Sequence, residues 1–354
     1  MKNILVYAYL NSNFGDDLFV DILLDRYPDC HFSILALGEK KLDFLNKHKN
    51  ADIIYISYLL KGINLISRKI FGRDLAYEFM AKKYDAFVLI GGSMFIENSG
   101  WQKRLIAIES FSMNIKKRFI IGANFGPYKS YEFFKSHEKL FMSFSSVCFR
   151  DKKSYNLFKH ISHVKSGIDI AFSINNMTER CIIDNKYVAI AVCNFVPPNL
   201  QKYKNSYLES LVHLCDKLIE RKHEVMLVGL CRNEGDVEII NQISSRINSA
   251  VDFHVYSGNI NETIDVFAKA HTIFATRFHS MIIGFLLKKK TIPLVYSIKM
   301  DNVLNDSGFK NNFYHIENIE NLDIESCLNQ NYEFDISEYC KQNIVEFEDL
   351  DKYI

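Results

Sequence analysis

The chain has 354 residues, which is too long for a single core of the commonest size, so we expect two domains. Apolar residues make up 48% of the chain and charged residues 24%, a composition that excludes a disordered protein. The formal net charge of +1 and the even spread of the lysines give no indication of a nucleic-acid-binding protein.

Short apolar runs alternate with amphipathic stretches along the first half of the chain. The runs predict buried strands and the stretches between them predict helices, an alternation that is typical of a parallel sheet covered by helices. The predicted strands are 4–7, 32–36, 53–56, 86–90, 119–122 and 147–149, and the clearest helices are 17–26, 101–116 and 133–144.

The same alternation restarts after a looser stretch at 173–185. The predicted strands there are 188–192, 225–228, 253–256, 272–275 and 291–295, and the helices include 208–221, 237–247 and 263–269. We therefore predict an α/β fold with two Rossmann-like domains facing a cleft, of the GT-B-like class. Residues 1–178 form the acceptor domain, 179–335 the donor domain, and 336–354 a helical segment that crosses back to the first domain.

The loop after the first predicted strand contains a single glycine. Gly15 permits a turn with positive φ, and Asp16 is a candidate cap for a helix that begins near Asp17. The loop either only joins strand to helix, or also binds an acceptor through Asn13 or Asp16. Because it departs from the G-x-G-x-x-G pattern, nothing in it supports dinucleotide binding.

The segment 59–73 is basic and strongly apolar. One interpretation is a helix that turns its apolar face to the core and its basic face outward. The other is a peripheral contact with a membrane surface, close to a lipid-linked substrate. Gly62 weakens the helix in either case.

Glycines also follow the fourth and fifth predicted strands. Gly91 and Gly92 allow a ligand or another backbone to come close, and Ser93 can donate a hydrogen bond, although a tight turn alone would favour the same residues. Asn124 and Gly126 follow the next strand. Carboxyl ends of parallel strands meet at one edge of a sheet, so we predict that these five residues line the acceptor site or the cleft.

Three cationic side chains follow other predicted strands. Arg150 follows the sixth strand beside Asp151, a candidate helix cap, Arg277 follows the strand at 272–275, and Lys299 lies on the next loop of that kind. Strand ends and helix starts of α/β sheets bind anions, so these residues are candidates for binding a phosphate and a carboxylate. The alternatives are local ion pairing for Arg277 and a solvated surface position for Lys299.

The remaining patterns concern metals, redox state and location. The eight cysteines are scattered without a C-x-x-C pair, which favours reduced thiols over disulfides or a zinc site, and we predict no metal and no cofactor. The N-terminal apolar run is too short for a signal peptide, and no stretch reaches the roughly 18 uncharged apolar residues of a membrane span. We therefore expect a cytoplasmic protein that at most contacts the inner face of a membrane.

Taken in order, these segments resemble the polysaccharide pyruvyl transferase family. The matching pieces are Asn13-Phe14-Gly15-Asp16-Asp17, Gly91-Gly92-Ser93, Gly126-Pro127, Arg150-Asp151-Lys152-Lys153-Ser154, Asp169-Ile170-Ala171-Phe172, Arg277-Phe278-His279-Ser280 and Lys299. The resemblance implies a GT-B-like fold and transfer of the enolpyruvyl unit of phosphoenolpyruvate to two hydroxyls of one sugar. It also implies that Arg150, Arg277 and His279 stand at positions associated with donor binding and catalysis.

That chemistry needs one group that gives and takes protons near neutral pH, and we predict that His279 is this group, rather than a packed core histidine. Phosphoenolpyruvate is then the donor, and a saccharide of a bacterial-type surface polysaccharide, lipid-linked or free, is the acceptor. Two other functions stay open. One is a GT-B glycosyltransferase that binds a nucleotide sugar through the loop at 258–262, and the other is a non-catalytic polysaccharide assembly protein.

Overall fold

The computed structural model describes residues 1–36, 43–174, 177, 186–194, 200–247, 249–343 and 345–354. The domain boundary predicted at 178/179 lies outside these residues. The strands are β1 (Asn3–Ala8), β2 (His31–Ala36), β3 (Ala51–Tyr55), β4 (Ala86–Ile90), β5 (Lys117–Ala123), β6 (Ser146–Phe149), β7 (Val164–Ser166), β8 (Tyr187–Val192), β9 (Val225–Gly229), β10 (Asp252–Val255), β11 (Ala270–Ala275), β12 (Lys290–Val295) and β13 (Tyr314–His315).

The α-helices connect and flank these strands. They are α1 (Phe14–Arg26), α2 (Tyr58–Phe71), α3 (Leu75–Ala81), α4 (Trp101–Ser112), α5 (Tyr131–Met142), α6 (Lys152–Phe158), α7 (Lys204–Glu220), α8 (Asp236–Ser244), α9 (Ile260–Ala268), α10 (Phe278–Leu286), α11 (Ile298–Asp306), α12 (Ile324–Asn329), α13 (Ser337–Asn343) and α14 (Glu348–Tyr353). Among the described residues, no helix combines the length and the apolar character needed to cross a membrane.

The first compact unit comprises Met1–Leu10, Leu18–Ser173 and Asn343–Ile354. Its seven strands form a parallel sheet in the order β3-β2-β1-β4-β5-β6-β7. The residues of β4 are all buried, as expected for a central strand that helices cover on both faces. The chain runs outward from β1 to β3 and then returns to β4 beside β1, so the topological switch point lies between β1 and β4.

The C-terminal segment 343–354 is part of this first unit. Asp351 of α14 accepts hydrogen bonds from Arg26 Nε at 2.9 Å and from the Tyr27 hydroxyl at 2.7 Å. Asp349 accepts a further hydrogen bond from the Ser146 hydroxyl at 2.6 Å. The segment is thus held by two polar side chains of α14.

The second compact unit comprises Asn11–Asp17 and Ile174–Gln342. Its six parallel strands are ordered β10-β9-β8-β11-β12-β13, and its switch point lies between β8 and β11. The two parallel sheets confirm the predicted α/β class with two Rossmann-like units.

One interpretation of the sequence is wrong at this level. Most of the segment 59–73 does form a helix, α2, and its Leu60 packs against the core, but most of its apolar side chains, among them Leu59, Ile66 and Ile70, are exposed. Its buried positions are the polar residues Asn64 and Ser67 instead. The physical reason is that the neighbouring backbone needs polar partners there, as described below.

Candidate functional site

Three residues predicted for the site, and Asp169, which was not predicted for it, follow four consecutive strands of the first unit. Gly92 follows β4, Asn124 follows β5, Arg150 follows β6 and Asp169 comes shortly after β7. Because these parallel strands end at one edge of the sheet, the side chains that follow them can meet. Together with Ser93, these residues are called the Arg150 cluster.

The guanidinium of Arg150 joins the cluster. Its Nη1 donates to Asp169 Oδ2 at 2.7 Å, and its Nη2 donates to Asn124 Oδ1 at 2.7 Å. The Ser93 hydroxyl lies 3.4 Å from the same Asn124 oxygen. The side chains of Arg150 and Asp169 are 5% and 1% exposed, so this is a buried, charge-compensated pair.

Glycine is needed at the predicted positions for different structural reasons. A Cβ on Gly92 would lie 2.3 Å from Arg150 Nη1, so the guanidinium packs directly on the Gly92 backbone. Gly91 has a φ of 148° and Gly126 a φ of 99°, both in the region that favours glycine. Gly126 also donates its backbone N–H to the Phe95 carbonyl at 2.7 Å. Gly92 therefore makes room for the Arg150 side chain, and Gly91 and Gly126 allow the conformations of their loops.

Arg277 lies at the switch point of the second unit, between the end of β11 and the start of α10. Its Nε donates to Asp236 Oδ2 at 3.0 Å and its Nη2 to the other oxygen of the same carboxylate. Its Nη1 donates to Glu234 Oε2. These three residues form the Arg277 cluster, in which one cation meets two carboxylates. Ion pairing, which was the predicted alternative to ligand binding for Arg277, is thus present in the structure.

The two carboxylates differ in how firmly they are held. Asp236 is fully buried, and its carboxylate also accepts the backbone N–H groups of Leu230 and Cys231, both at 2.9 Å. The Glu234 side chain is 32% exposed. Asp236 is therefore a fixed orienting partner of the guanidinium, whereas Glu234 is within reach of solvent and of a competing anion. Sequence reasoning missed both residues, although their position just after β9 matches that of the other predicted side chains.

The loop Asn11–Asp17 belongs to this second unit and packs beside α10. A Cβ on Gly15 would lie 1.9 Å from His279 Nδ1, so the absence of a side chain at Gly15 lets the imidazole occupy that place. The backbone N–H of Phe14 donates to the Leu230 carbonyl at 3.0 Å, and Asp17 accepts from the Tyr256 hydroxyl at 2.7 Å. Two sequence motifs about 260 residues apart are thereby brought into contact.

Two predictions about this loop are wrong. Gly15 does not supply a positive φ, because it lies in the first turn of α1, and the positive φ of the loop, 48°, belongs to Ser12. Asp16 does not cap the helix, because α1 begins earlier than expected, at Phe14. Asn13 does so instead, accepting the Gly15 N–H on its side-chain oxygen at 3.0 Å. Asp16 lies in the first turn and is half-buried.

Lys299 lies close to the motif that contains Arg277 and His279. Its Nζ is 5.0 Å from the ring centroid of Phe278, in a cation–π arrangement, and the residue is half-buried. The interpretation of Lys299 as a solvated surface lysine is therefore wrong, because the lysine packs on an aromatic ring beside the predicted catalytic residue. In the described part of the chain, no group of three or more His, Cys, Asp or Glu residues is arranged to hold a metal.

The structure thus forms two sets of predicted residues. The first unit groups Gly92, Ser93, Asn124 and Arg150, and the second groups Asn13, Arg277, His279 and Lys299. The convergence of Arg150 and Arg277 on one ligand stays a prediction. In the loop proposed for a nucleotide, Asn259 caps α9 by accepting the Glu262 N–H at 3.2 Å, which is a structural role.

The chain is similar to known proteins in sequence and in fold. The model of the family described as polysaccharide pyruvyl transferase matches residues 13–298. This range contains the predicted site residues except Lys299, which immediately follows it. The amylovoran biosynthesis protein AmsJ of Erwinia amylovora is 22% identical over 254 residues, which are 64% of this chain and 60% of AmsJ. The chain therefore spans less than two thirds of this relative.

Solved structures are similar in fold. MnaA of S. aureus in complex with UDP has a TM-score of 0.59 and 11% identity, covering 93% of this chain and 88% of MnaA. HepE of Anabaena in complex with UDP-glucose has a TM-score of 0.58 and 15% identity, covering 93% of this chain and 90% of HepE. With two Rossmann-like units, this similarity confirms the predicted GT-B-like class. Because the family model spans most of its length, the chain belongs to the polysaccharide pyruvyl transferase family.

Proposed function

We propose that the protein transfers the enolpyruvyl group of phosphoenolpyruvate to a saccharide of a bacterial-type surface polysaccharide or its precursor. The two products are a cyclic pyruvate ketal and phosphate. Family membership supports the general reaction. The observation that carries the proposal for this chain is the Arg277 cluster. Its buried guanidinium, held by Asp236, belongs to a residue at a helix start, two positions before His279.

In the proposal, Arg277 binds an anionic group of the donor. Asp236 occupies Nε and Nη2 in a bidentate arrangement and so fixes the plane of the guanidinium. Nη1 faces the partly exposed Glu234, and an incoming phosphate or carboxylate competes with Glu234 for this nitrogen. Lys299 adds a second cation beside Phe278, and Arg150 is the remaining predicted donor ligand.

The reaction needs a balanced transfer of protons. A proton adds to the methylene carbon of phosphoenolpyruvate, positive charge develops at the neighbouring carbon, and one sugar hydroxyl attacks that carbon. The bond to the phosphate oxygen breaks, and a second hydroxyl closes the ring. The hydroxyls lose two protons, of which one replaces the proton taken up by the new methyl group and the other leaves with phosphate. One acid–base group is therefore sufficient, and we assign this role to His279.

The saccharide side of the proposal rests on the Ser93 and Asn124 side chains of the Arg150 cluster. The Asn124 amide and the Ser93 hydroxyl supply donors and acceptors of the kind that bind sugar hydroxyls. The missing side chain at Gly92 lets the Arg150 guanidinium lie against the strand end beside these two groups. Phosphoenolpyruvate is a cytoplasmic metabolite, so the proposed reaction takes place in the cytoplasm.

Donor binding tests the proposal against the glycosyltransferase alternative. Thermal shift measurements with phosphoenolpyruvate and with UDP-glucose should show stabilisation by phosphoenolpyruvate that is lost in Arg277→Ala. Arg277→Lys should not restore it, because lysine lacks the planar fork. Arg246→Ala, which removes a surface arginine paired with Glu209, is the matched control. Stabilisation by UDP-glucose alone would support the glycosyltransferase, and stabilisation by neither would support the assembly protein.

A further inference from the structure

Helix α2 carries a stripe of exposed apolar side chains. Leu59, Ile63, Ile66 and Ile70 follow each other at intervals of four, three and four residues, which places them on one face of a helix. They are 74%, 44%, 63% and 66% exposed. A stripe with this spacing normally packs against a core, so its exposure to solvent on a folded unit needs an explanation.

The orientation of α2 is fixed by its buried polar side chains, which lie about a quarter of a turn from the stripe. The buried Asn64 side-chain oxygen accepts the Ala76 N–H at 2.9 Å, and the buried Ser67 hydroxyl donates to the Arg73 carbonyl at 2.8 Å. Ser57 caps the start of the helix, and Gly72 ends it with a φ of 67°. A rotation that buried the apolar stripe would leave these buried polar groups without partners, which is costly. The stripe therefore faces outward because the structure requires it.

The charges around the stripe are mainly positive. Between Tyr58 and Lys83 the sequence contains six lysines and arginines and two carboxylates. Both carboxylates are buried and paired, Asp74 with Arg68 and Glu78 with Arg73. The lysines of this segment, Lys61, Lys69, Lys82 and Lys83, are exposed. The apolar stripe is thus accompanied by a local excess of cations in a chain whose formal net charge is only +1.

We propose that this face of α2 binds the surface of an anionic lipid bilayer. The face consists of Leu59, Ile63, Ile66 and Ile70, with Lys69 at its edge. The apolar stripe enters the boundary between headgroups and acyl chains, and Lys69 meets the anionic headgroups. A symmetric dimer through the same face would bring two cationic segments together, so charge complementarity favours the bilayer over a second copy of the chain.

This inference does not depend on which reaction the protein catalyses. It goes beyond the proposed pyruvyl transfer, because it names a surface and a partner that a soluble acceptor would not need. If both hold, the acceptor is delivered at a membrane, as a lipid-linked saccharide would be.

Vesicle binding by the full chain tests the inference. The protein is sedimented with vesicles of phosphatidylglycerol and phosphatidylcholine, and with vesicles of phosphatidylcholine alone. We expect binding to the anionic vesicles that weakens at high salt. Ile66→Ser combined with Ile70→Ser should weaken it roughly tenfold or more, and Lys69→Gln about fivefold. Met142→Ser, which removes an exposed methionine of the same unit, is the matched control and should not change binding.

Unfolding is checked by the melting temperature, which should not fall in these variants because all four side chains are exposed. The inference is overturned if the wild-type chain does not bind anionic vesicles, or if the isoleucine variant binds as the Met142→Ser control does. It is also overturned if light scattering shows a dimer that the isoleucine variant dissociates while vesicle binding is absent.

Discussion

Each of the two predicted arginines is tied to a buried carboxylate that sequence reasoning did not assign to it. Arg150 pairs with Asp169 and Arg277 with Asp236, and these aspartates are 1% and 0% exposed. A buried charge is costly unless it is paired, so each arginine needs its aspartate in order to remain in place without ligand. The aspartates are positioning residues in this account, and ligand binding has to use the parts of the guanidinium that they do not occupy.

The first prediction separates the two carboxylates around Arg277. Because Glu234 competes with an anion for Nη1, Glu234→Gln should strengthen phosphoenolpyruvate binding by roughly three- to tenfold. Asp236→Asn removes the bidentate partner and should weaken binding by roughly ten- to a hundredfold. Isothermal titration calorimetry measures both, with the exposed Glu320→Gln as control. Equal losses in the two variants would show that Glu234 does not compete with the donor.

The second prediction concerns His279, which the Gly15 backbone contacts. His279→Asn should keep the donor affinity and lose about 10²–10⁴-fold in turnover, because general acid–base catalysis contributes that much. His213→Asn removes an exposed histidine of α7 and should change neither quantity. Near-normal turnover in His279→Asn would show that His279 is only a packed histidine.

Predictions for single residues succeeded where the role of the residue depends on the local backbone. They failed where the role depends on a partner that is distant in the sequence. Asp151 caps α6 by accepting the Ser154 N–H at 2.8 Å, as expected from its place after a strand. The pairing of Arg277 with Asp236 joins residues that are 41 positions apart, and no local pattern indicates it. Gly15 was recognised as special for the wrong reason, since close approach of a side chain, not backbone conformation, requires it there.

At the level of elements, the first turns of α1 and α10 are packed together at Gly15 and His279. The third prediction follows from this contact. Gly15→Ala should displace the imidazole and reduce turnover by at least about tenfold, since small misplacements of a reacting group are costly. The matched control is Gly62→Ala in α2, where a Cβ meets nothing within 4 Å.

The control also has an expected effect of its own. Gly62→Ala should raise the free energy of unfolding by roughly 0.5–1 kcal/mol through helix propensity, and should leave turnover unchanged. Chemical denaturation and a turnover assay measure the two variants side by side. The account of the Gly15 contact fails if Gly15→Ala turns over substrate as fast as Gly62→Ala does.

The elements themselves were largely predictable because both sheets are parallel. Strands covered on both faces are continuous apolar runs, and these runs were found in the sequence almost within their observed bounds. Helix α2 shows the limit of such reasoning. Its apolar stripe is visible in the sequence. The direction in which it points depends on the hydrogen bond that Asn64 accepts from a later helix and on the one that Ser67 donates to a later loop.

At the scale of a whole unit, the C-terminal segment adds a buried acid to the first sheet. Glu346 is 4% exposed and accepts the backbone N–H of Ile168. Ile168 directly precedes Asp169, a residue of the Arg150 cluster, in the sequence. Burial, with a smaller contribution from the charge of Asp169, raises the pKa of Glu346 to about 7. Among the described residues its second oxygen, Oε2, has no hydrogen-bond partner.

The fourth prediction is a pH dependence of stability. The folded pKa of Glu346 is above the unfolded value, so its contribution is fully present below pH 4.5 and is lost as pH rises through about 7. Glu346→Gln cannot ionise and should be more stable than wild type at pH 8, by an amount on the order of 2 kcal/mol, with little difference near pH 4.5. Urea unfolding at both pH values measures this, with the exposed Glu348→Gln as control. A constant difference between Glu346→Gln and wild type across this range would contradict the assignment.

The central claim is the transfer of a pyruvyl group from phosphoenolpyruvate to a saccharide. Its most direct test is to incubate the protein with phosphoenolpyruvate and a panel of oligosaccharides from bacterial surface polysaccharides. Phosphate is quantified and the saccharides are analysed by mass spectrometry. We predict that at least one saccharide gains a pyruvate ketal, with one phosphate released per ketal, and that Arg277→Ala and His279→Asn lose both products. Transfer of a sugar from a nucleotide sugar, with no phosphate released from phosphoenolpyruvate by any acceptor, would contradict the account.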